Sequence, residues 1–213
     1  MRLYSDVNLK KLPLFFQEEL ENILDKEGEW SNDKYDHPTK WGIIQSTANM
    51  VGWKGNIEDI GKNDARKMWA IHSWYMPRYD IIAQVSQLVC KHTIDTSGPA
   101  GMSQANRHLQ RLLNAMNDPV DSGGYRYGED LDVDGLIGNK TAERLSAYLE
   151  HRKTNGEVIL AMAINAVQLA HMLLTSEKNP GKRDFSYGWW DKRVHEDLVE
   201  LYADFDNQRL NFA

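Results

Sequence analysis

Glu27 stands four residues after Ile23, seven after Leu20 and eleven after Phe16, the spacing of one face of an α-helix. That face is apolar, so the spacing predicts a partly desolvated carboxyl group at the end of a helix. Desolvation favours the protonated form, which is what a general acid needs. The competing reading is a carboxylate that swings into water, because Gly28 stops the helix immediately after it. Asp36 and Thr39 follow in a segment of turn formers, where the same residue types serve any turn. A helix-end glutamate facing an aspartate and a hydroxyl across a cleft suits glycoside hydrolysis. One carboxyl protonates the leaving oxygen, and the other orients or activates water on the opposite face of the sugar. Trp30 and Trp41 flank this group and offer flat rings for stacking on sugars.

The elements that must position these residues are mainly α-helical, with one short β segment near residues 30–47. Leu12, Phe16, Leu20, Ile23 and Leu24 share one face of a helix running from Leu12 to Lys26. The stretch WSNDKYDHPTKWGIIQST mixes turn and strand formers and predicts a small twisted hairpin. Asn63 caps a helix to about Tyr75, stopped by Pro77; Asp80 caps the next, which carries Ile81, Ile82, Val85, Leu88, Val89 and His92. IDTSGPAGMS reads as a loop, after which Ser103 starts a helix with Leu109, Leu112, Leu113 and Met116. DPVDSGGYRYGEDLDVDG is the longest polar gap and reads as a lobe boundary. Helices from about Thr141, from about Glu157 and after FSYGWWDKRVHED complete the chain.

The segment KEGEWSNDKYDHPTKWGIIQST resembles the signature of glycoside hydrolase family 108, the phage-type N-acetylmuramidases, which reads HEGGY, ND, DPGGAT, a G-I/V pair and TQ. Glu27 falls on that family's catalytic glutamate, and Asn32, Asp33, Asp36, Thr39, Gly42, Ile43 and Gln45 fall on its later positions in order. IDTSGPAGMSQANRHLQRLLNA is similar to the family's helix-loop-helix, with Asp95, Gly101, Leu109 and Gln110 in register. LDVDGLIGNKTAERL and the closing FSYGWWDKRV, with Gly188, Trp189, Arg193 and Val194, resemble the peptidoglycan-binding subdomain at the end of such enzymes. The sequence departs from the pattern at Glu29, where a glycine is usual, in lacking a glycine pair before Thr39, and in placing Pro99 and Ala100 before Gly101.

The resemblance implies a lysozyme-like muramidase domain over residues 1–102 and a helical peptidoglycan-binding-like subdomain over 103–213. Its reaction would be cleavage of the β-1,4 bond between N-acetylmuramic acid and N-acetylglucosamine. Glu27, Asp36 and Thr39 would be catalytic, and Trp30, Trp41, Gln45 and Asp95 would meet substrate. No cofactor is implied. A phage or prophage endolysin is the corresponding biological role, acting as a monomer on peptidoglycan glycan strands, with a holin giving access to the wall. The alternative is a non-catalytic peptidoglycan-binding protein on the same fold.

Composition fits this class. Of 213 residues, 41% are hydrophobic and 26% charged, and 25 basic against 31 acidic residues leave a net charge of −6. That balance argues for a globular chain and against a nucleic-acid partner, which wants a basic face. Cys90 is alone, which excludes an internal disulfide and reads as a buried small hydrophobe. The first residues, broken by charge and Pro13, show no signal-peptide pattern, so synthesis in a cytoplasm without an ordinary export label is expected. Val158 to Leu174 is the most apolar run, interrupted by Asn165, Gln168 and His171, and reads as a buried core helix rather than a bilayer span. Metal chemistry finds little support. The seven histidines show no H-E-x-x-H, and His72 and His92 read as satisfied core residues. Asp130, Asp132, Asp134 and Gly135 match the start of an EF-hand loop, but its twelfth position is Thr141 instead of glutamate. A calcium-regulated interaction protein is the corresponding third reading.

Overall fold

The computed structural model describes residues 3–32, 37–117 and 126–182, together with Asp191 and Val199. The chain folds as two compact units, Met1–Met76 and Pro77–Ala213.

In the first unit, α1 (Leu14–Glu27) buries Phe16, Leu20 and Leu24, the stripe that the sequence spacing predicts. Phe16 is fully buried, and its ring stacks on Trp74 with centroids 4.6 Å apart. Gly28 ends the helix at a φ of 71°, its N–H donating to the Leu24 carbonyl at 3.0 Å. A side chain at that φ would be strained, so glycine is the natural stop. Two short antiparallel strands follow, β1 (Trp30–Ser31) and β2 (Thr39–Lys40), with Trp30 opposite Lys40 and Ser31 opposite Thr39. This is the expected hairpin. After a tight turn come α2 (Gln45–Met50) and α3 (Lys62–Ala70), and α3 packs against α1. Arg66 of α3 grips Glu21 of α1 through both its Nε and its Nη2, the latter at 2.8 Å. The Arg66 hydrogen bond holds the Glu21 carboxyl below the usual carboxylate range. Both side chains are partly exposed, so the pair contributes about 1 kcal/mol or less and serves mainly to set the register of the helices. Beyond α3 the chain does not stay α-helical to Tyr75 as expected. Ile71–Tyr75 form a π-helical turn.

The second unit is built from α4 (Tyr79–Val85), α5 (Gln87–Ala100), α6 (Met102–Ala115) and a long segment α7 (Asn139–Lys178). α5 packs against α4, α6 and α7. One helix was expected from Asp80 through His92, but the chain breaks at Ser86, whose hydroxyl accepts from the Val89 N–H at 2.9 Å and caps α5. The expected loop IDTSGPAGMS is instead mostly helix. α5 runs through Pro99, and only Gly101, at a φ of 80°, separates it from α6. Thr93, Thr96 and Ser97 donate back to the carbonyls of Val89, His92 and Ile94, so their hydroxyls are satisfied inside the helix rather than competing for a turn. Asn139–Lys178 holds both helices expected near Thr141 and Glu157, broken at Lys153, whose φ of 53° and ψ of −145° are not helical.

The apolar part of α7, Asn155–Lys178, is longer than the sequence pattern indicated, and by length and composition it could cross a membrane. It is nevertheless a helix of this bundle. Val158, Leu160, Ala161, Ile164, Asn165 and Gln168 are buried, and Gln168 donates to Asp95 of α5 at 2.7 Å. Ile159, Leu173 and Leu174 lie exposed on the same helix. Cys90 is buried, its thiol donating to the Tyr79 carbonyl at 3.5 Å.

The polar gap after α6 is not a lobe boundary where it is described. Residues 126–138 are tied to α6 by a ladder of amides. Asn117 donates to Asp130, Asn114 brackets the backbone of Leu131 with both ends of its amide, and Gln110 takes the Gly135 N–H while donating to Asp134. Asp134 also accepts from the Leu136 N–H, and these bonds, Gln110 first, hold its carboxyl below the ordinary range. Asp130 and Asp134 thus have amide partners, and no group of metal-ligating side chains forms among the described residues. The expected glycine-rich start of this gap and the expected last helix lie largely outside the described residues.

Two outcomes test this account. Phe16→Ala should destabilise the protein by about 3–5 kcal/mol in urea unfolding, since it removes a fully buried ring. Gln110→Ala should cost about 1–3 kcal/mol by leaving the buried Gly135 N–H unsatisfied, whereas EDTA should leave the melting temperature of the wild type unchanged.

Candidate active site

Within the first unit a cleft of about 340 Å³ is lined by Glu27, Thr39, Gly42, Ile43, Ile44, Thr47, Met68, Trp69 and His72. Its size is at the small end for ligand sites. The end of α1 supplies Glu27, β2 supplies Thr39, the start of α2 supplies Thr47, and α3 with its π-helical turn supplies Met68, Trp69 and His72.

The turn after β2 brings Glu27 into this cleft. Lys40 and Ile43 exchange both backbone hydrogen bonds, at 3.1 and 3.0 Å. Trp41 and Gly42 between them both have positive φ, 56° and 72°, which a tight two-residue hairpin turn requires. At Gly42 a Cβ would sit 2.7 Å from Cγ, 2.9 Å from Cδ and 2.8 Å from Oε2 of Glu27. The glutamate therefore lies directly across the bare glycine backbone. Any side chain at position 42 would occupy the volume of the carboxyl group.

Trp41 adopts a backbone conformation that costs a non-glycine residue of order 1–3 kcal/mol, and its surroundings hold it there. Its indole N–H donates to the Ile60 carbonyl at 3.2 Å, its own carbonyl accepts from the Trp69 indole at 2.8 Å, and its N–H donates to Glu29 at 3.1 Å. The Lys62 ammonium lies 5.8 Å from its ring centre. Glu29 itself reaches Lys40 at 2.9 Å and is exposed. This carboxylate, which replaces a usual glycine, thus props the hairpin.

The sequence-derived candidates separate in this geometry. Glu27 and Thr39 meet in the cleft. The expectation that Glu27 is desolvated is corrected, because the residue is exposed. As the last residue of α1 its side chain leaves the apolar stripe and crosses Gly42 instead. Trp30 is 45% exposed on β1, so its ring is available for stacking. Trp41 is half-buried and fastens the turn. Gln45 uses its amide on its own neighbourhood, donating to Asn49 at 2.9 Å and to the Gly55 carbonyl at 3.0 Å and accepting from the Ile57 N–H at 3.0 Å. It shapes the loop beside α2. Asp95 belongs to the other unit, where it accepts from Gln168. Asp36 lies outside the described residues.

Two cleft residues lie outside the candidates drawn from the sequence. Trp69 both lines the cleft and holds the turn. His72 was expected as a satisfied core histidine. Instead it lines the cleft, its Nδ1 is buried without a hydrogen-bond partner, and burial holds its imidazole below the usual histidine range. Its ring meets Trp69 edge to face at 5.6 Å. The apolar-helix spacing of Met68, Trp69 and His72 is the same for a core face and a cleft wall, so spacing could not separate the two.

The first unit thus carries a helix-end glutamate over a hairpin turn in an open cleft. Residues 20–98 match the family described as glycosyl hydrolase 108, and residues 104–194 match the family described as predicted peptidoglycan domain. The chain is thus built as a glycosyl hydrolase 108 module followed by a peptidoglycan module, which makes it a glycoside hydrolase with peptidoglycan as its partner. No curated protein matches the chain. Family modules and folding units divide at different places, since α5 carries the end of the first match but packs with α6 and α7.

Gly42→Ala should displace the Glu27 carboxyl group while leaving the core intact. Hydrolysis of purified cell walls should fall by about 10²-fold, the scale of a misplaced reacting group, with secondary structure by circular dichroism unchanged.

Proposed function

We propose that the protein is an N-acetylmuramidase that cleaves the β-1,4 bond between N-acetylmuramic acid and N-acetylglucosamine in peptidoglycan. The observation that supports this most directly is the Glu27 carboxyl group laid across Gly42 in a cleft that also holds Thr39. Glu27 is the general acid and gives its proton to the glycosidic oxygen as the bond to C1 breaks. Water adds to C1, and Asp36, helped by Thr39, takes its proton. With water between carboxylate and sugar the reaction inverts the anomeric centre, which calls for carboxyl groups roughly 6.5–9.5 Å apart. Trp30 stacks on a sugar ring next to the cut.

The catalytic module in this reading covers residues 1–102 and the peptidoglycan-binding module residues 103–213. The two family matches, which part between residues 98 and 104, support that layout. The biological role is that of a phage or prophage endolysin, a monomer made in the host cytoplasm that reaches the wall with the help of a holin. A second reading, a wall-binding protein without catalysis, draws on the exposure of Glu27, which leaves the carboxyl group without the desolvation that favours a general acid.

Mass spectrometry of fragments released from purified peptidoglycan separates them. The muramidase predicts muropeptides with new reducing muramic acid ends from the wild type and none from Glu27→Gln. Absence of release by both proteins, with both sedimenting with the wall, would sink the muramidase and leave the binder.

A further inference from the structure

His72 is the cleft residue whose chemistry the reaction above does not use. Three observations bear on it. Its ring lines the same cleft as Glu27. Its Nδ1 is shut into the wall with no partner, so that side of the ring neither donates to nor accepts from the protein. The cleft wall sets the apolar Ile43, Ile44, Met68 and Trp69 beside the hydroxyls of Thr39 and Thr47. A buried polar atom without a partner is uncommon and calls for an explanation.

The partnerless Nδ1 decides the tautomer. A buried, unsatisfied N–H is the rarer defect in proteins, and an unsatisfied acceptor the more readily tolerated one. The proton therefore belongs on Nε2, which unlike Nδ1 is not shut away without a partner, and desolvation favours the neutral ring. His72 then offers one N–H donor beside a patch of aliphatic and aromatic carbon. A hydroxyl group would use the donor but not the patch, and a methyl group would use the patch but not the donor. An acetamido group uses both, its carbonyl oxygen accepting from the imidazole while its methyl packs on the half-buried Ile44 and Trp69.

We propose that His72 reads the 2-acetamido group of the amino sugar bound beside Glu27, making it a specificity-determining residue of this cleft. This inference rests on the glycan-cleaving reading for its substrate class, but it concerns binding and can be separated from cleavage. Removing one neutral donor from a carbonyl should cost about 3- to 10-fold, and only on substrates that carry the carbonyl.

The test compares purified peptidoglycan, the same material after de-N-acetylation, and that material re-acetylated with acetic anhydride. The release of reducing ends is measured for wild type, His72→Phe and His72→Gln. Wild type should prefer the acetylated and re-acetylated walls. His72→Phe, which keeps a flat ring and loses the donor, should reduce that preference by about 3- to 10-fold, and His72→Gln, which restores an N–H, should recover part of it. An unchanged preference in a folded His72→Phe protein overturns the proposal. A second measurement does not need that variant to fold. In Glu27→Gln protein, the imidazole nitrogen signals of His72 should shift on titration with soluble glycan fragments and stay still with their de-N-acetylated counterparts; equal shifts, or none with either, overturn the assignment. If wild type releases no reducing ends from any wall while these shifts appear with acetylated fragments alone, the cleavage reading fails and the His72 assignment stands.

Discussion

The close approach of Glu27 to the backbone of Gly42 is the constraint around which the first unit is arranged. A carboxyl group with its Cγ 2.7 Å from where a Cβ would be can lie there only if position 42 has no side chain and only if the turn holds a positive φ. The hairpin therefore exists to present bare backbone to the end of α1. Strands of two residues each would be marginal alone in water. They persist because the turn between β2 and α2 is fastened from outside by tryptophans.

Trp41 shows how that fastening works. Its positive φ is unfavourable locally, yet its indole and carbonyl are both taken, by Ile60 and Trp69. The local strain is thus offset by contacts distant in sequence, and the turn cannot relax without breaking them. Trp69 comes from α3, and α3 is registered on α1 by Arg66 and Glu21. The helix that carries the acid and the helix that holds its platform are consequently linked, first through an ion pair and again through the turn.

Much of this was legible in the sequence, for physical reasons that also mark its limits. The apolar stripe of α1, the Gly28 stop, the hairpin and the buried Cys90 follow from residue type and spacing, because each depends on neighbours only a few positions away. The burial of Glu27 did not follow, since spacing places a Cβ on a face but does not say where a flexible side chain goes once the helix has ended. His72 was misread for a related reason. The π-helical turn at Ile71–Tyr75 changes the direction of that face, and nothing in IHSWY separates a π turn from an α turn. The segment around Pro99 was read as a loop because Pro, Gly, Ser and Thr favour turns one at a time, while back-bonded hydroxyls and packing against α6 and α7 keep it helical.

The acidic loop of the second unit makes the same point about context. Read alone, Asp130, Asp132, Asp134 and Gly135 could equally begin a calcium site or a structural turn, because a carboxylate oxygen can either coordinate a cation or accept from an N–H. What decides is the facing helix. α6 presents Gln110 and Asn114 four residues apart on one face, Asn117 follows just past the end of the helix, and the three amides meet Asp134, Leu131 and Asp130 in turn. An amide donates and accepts at once, so Gln110 satisfies a carboxylate and a backbone N–H together, and a bare cation cannot satisfy an N–H. A loop latched in this way is ordered by the protein itself. The conformation that in a calcium loop would wait for an ion is here set by folding.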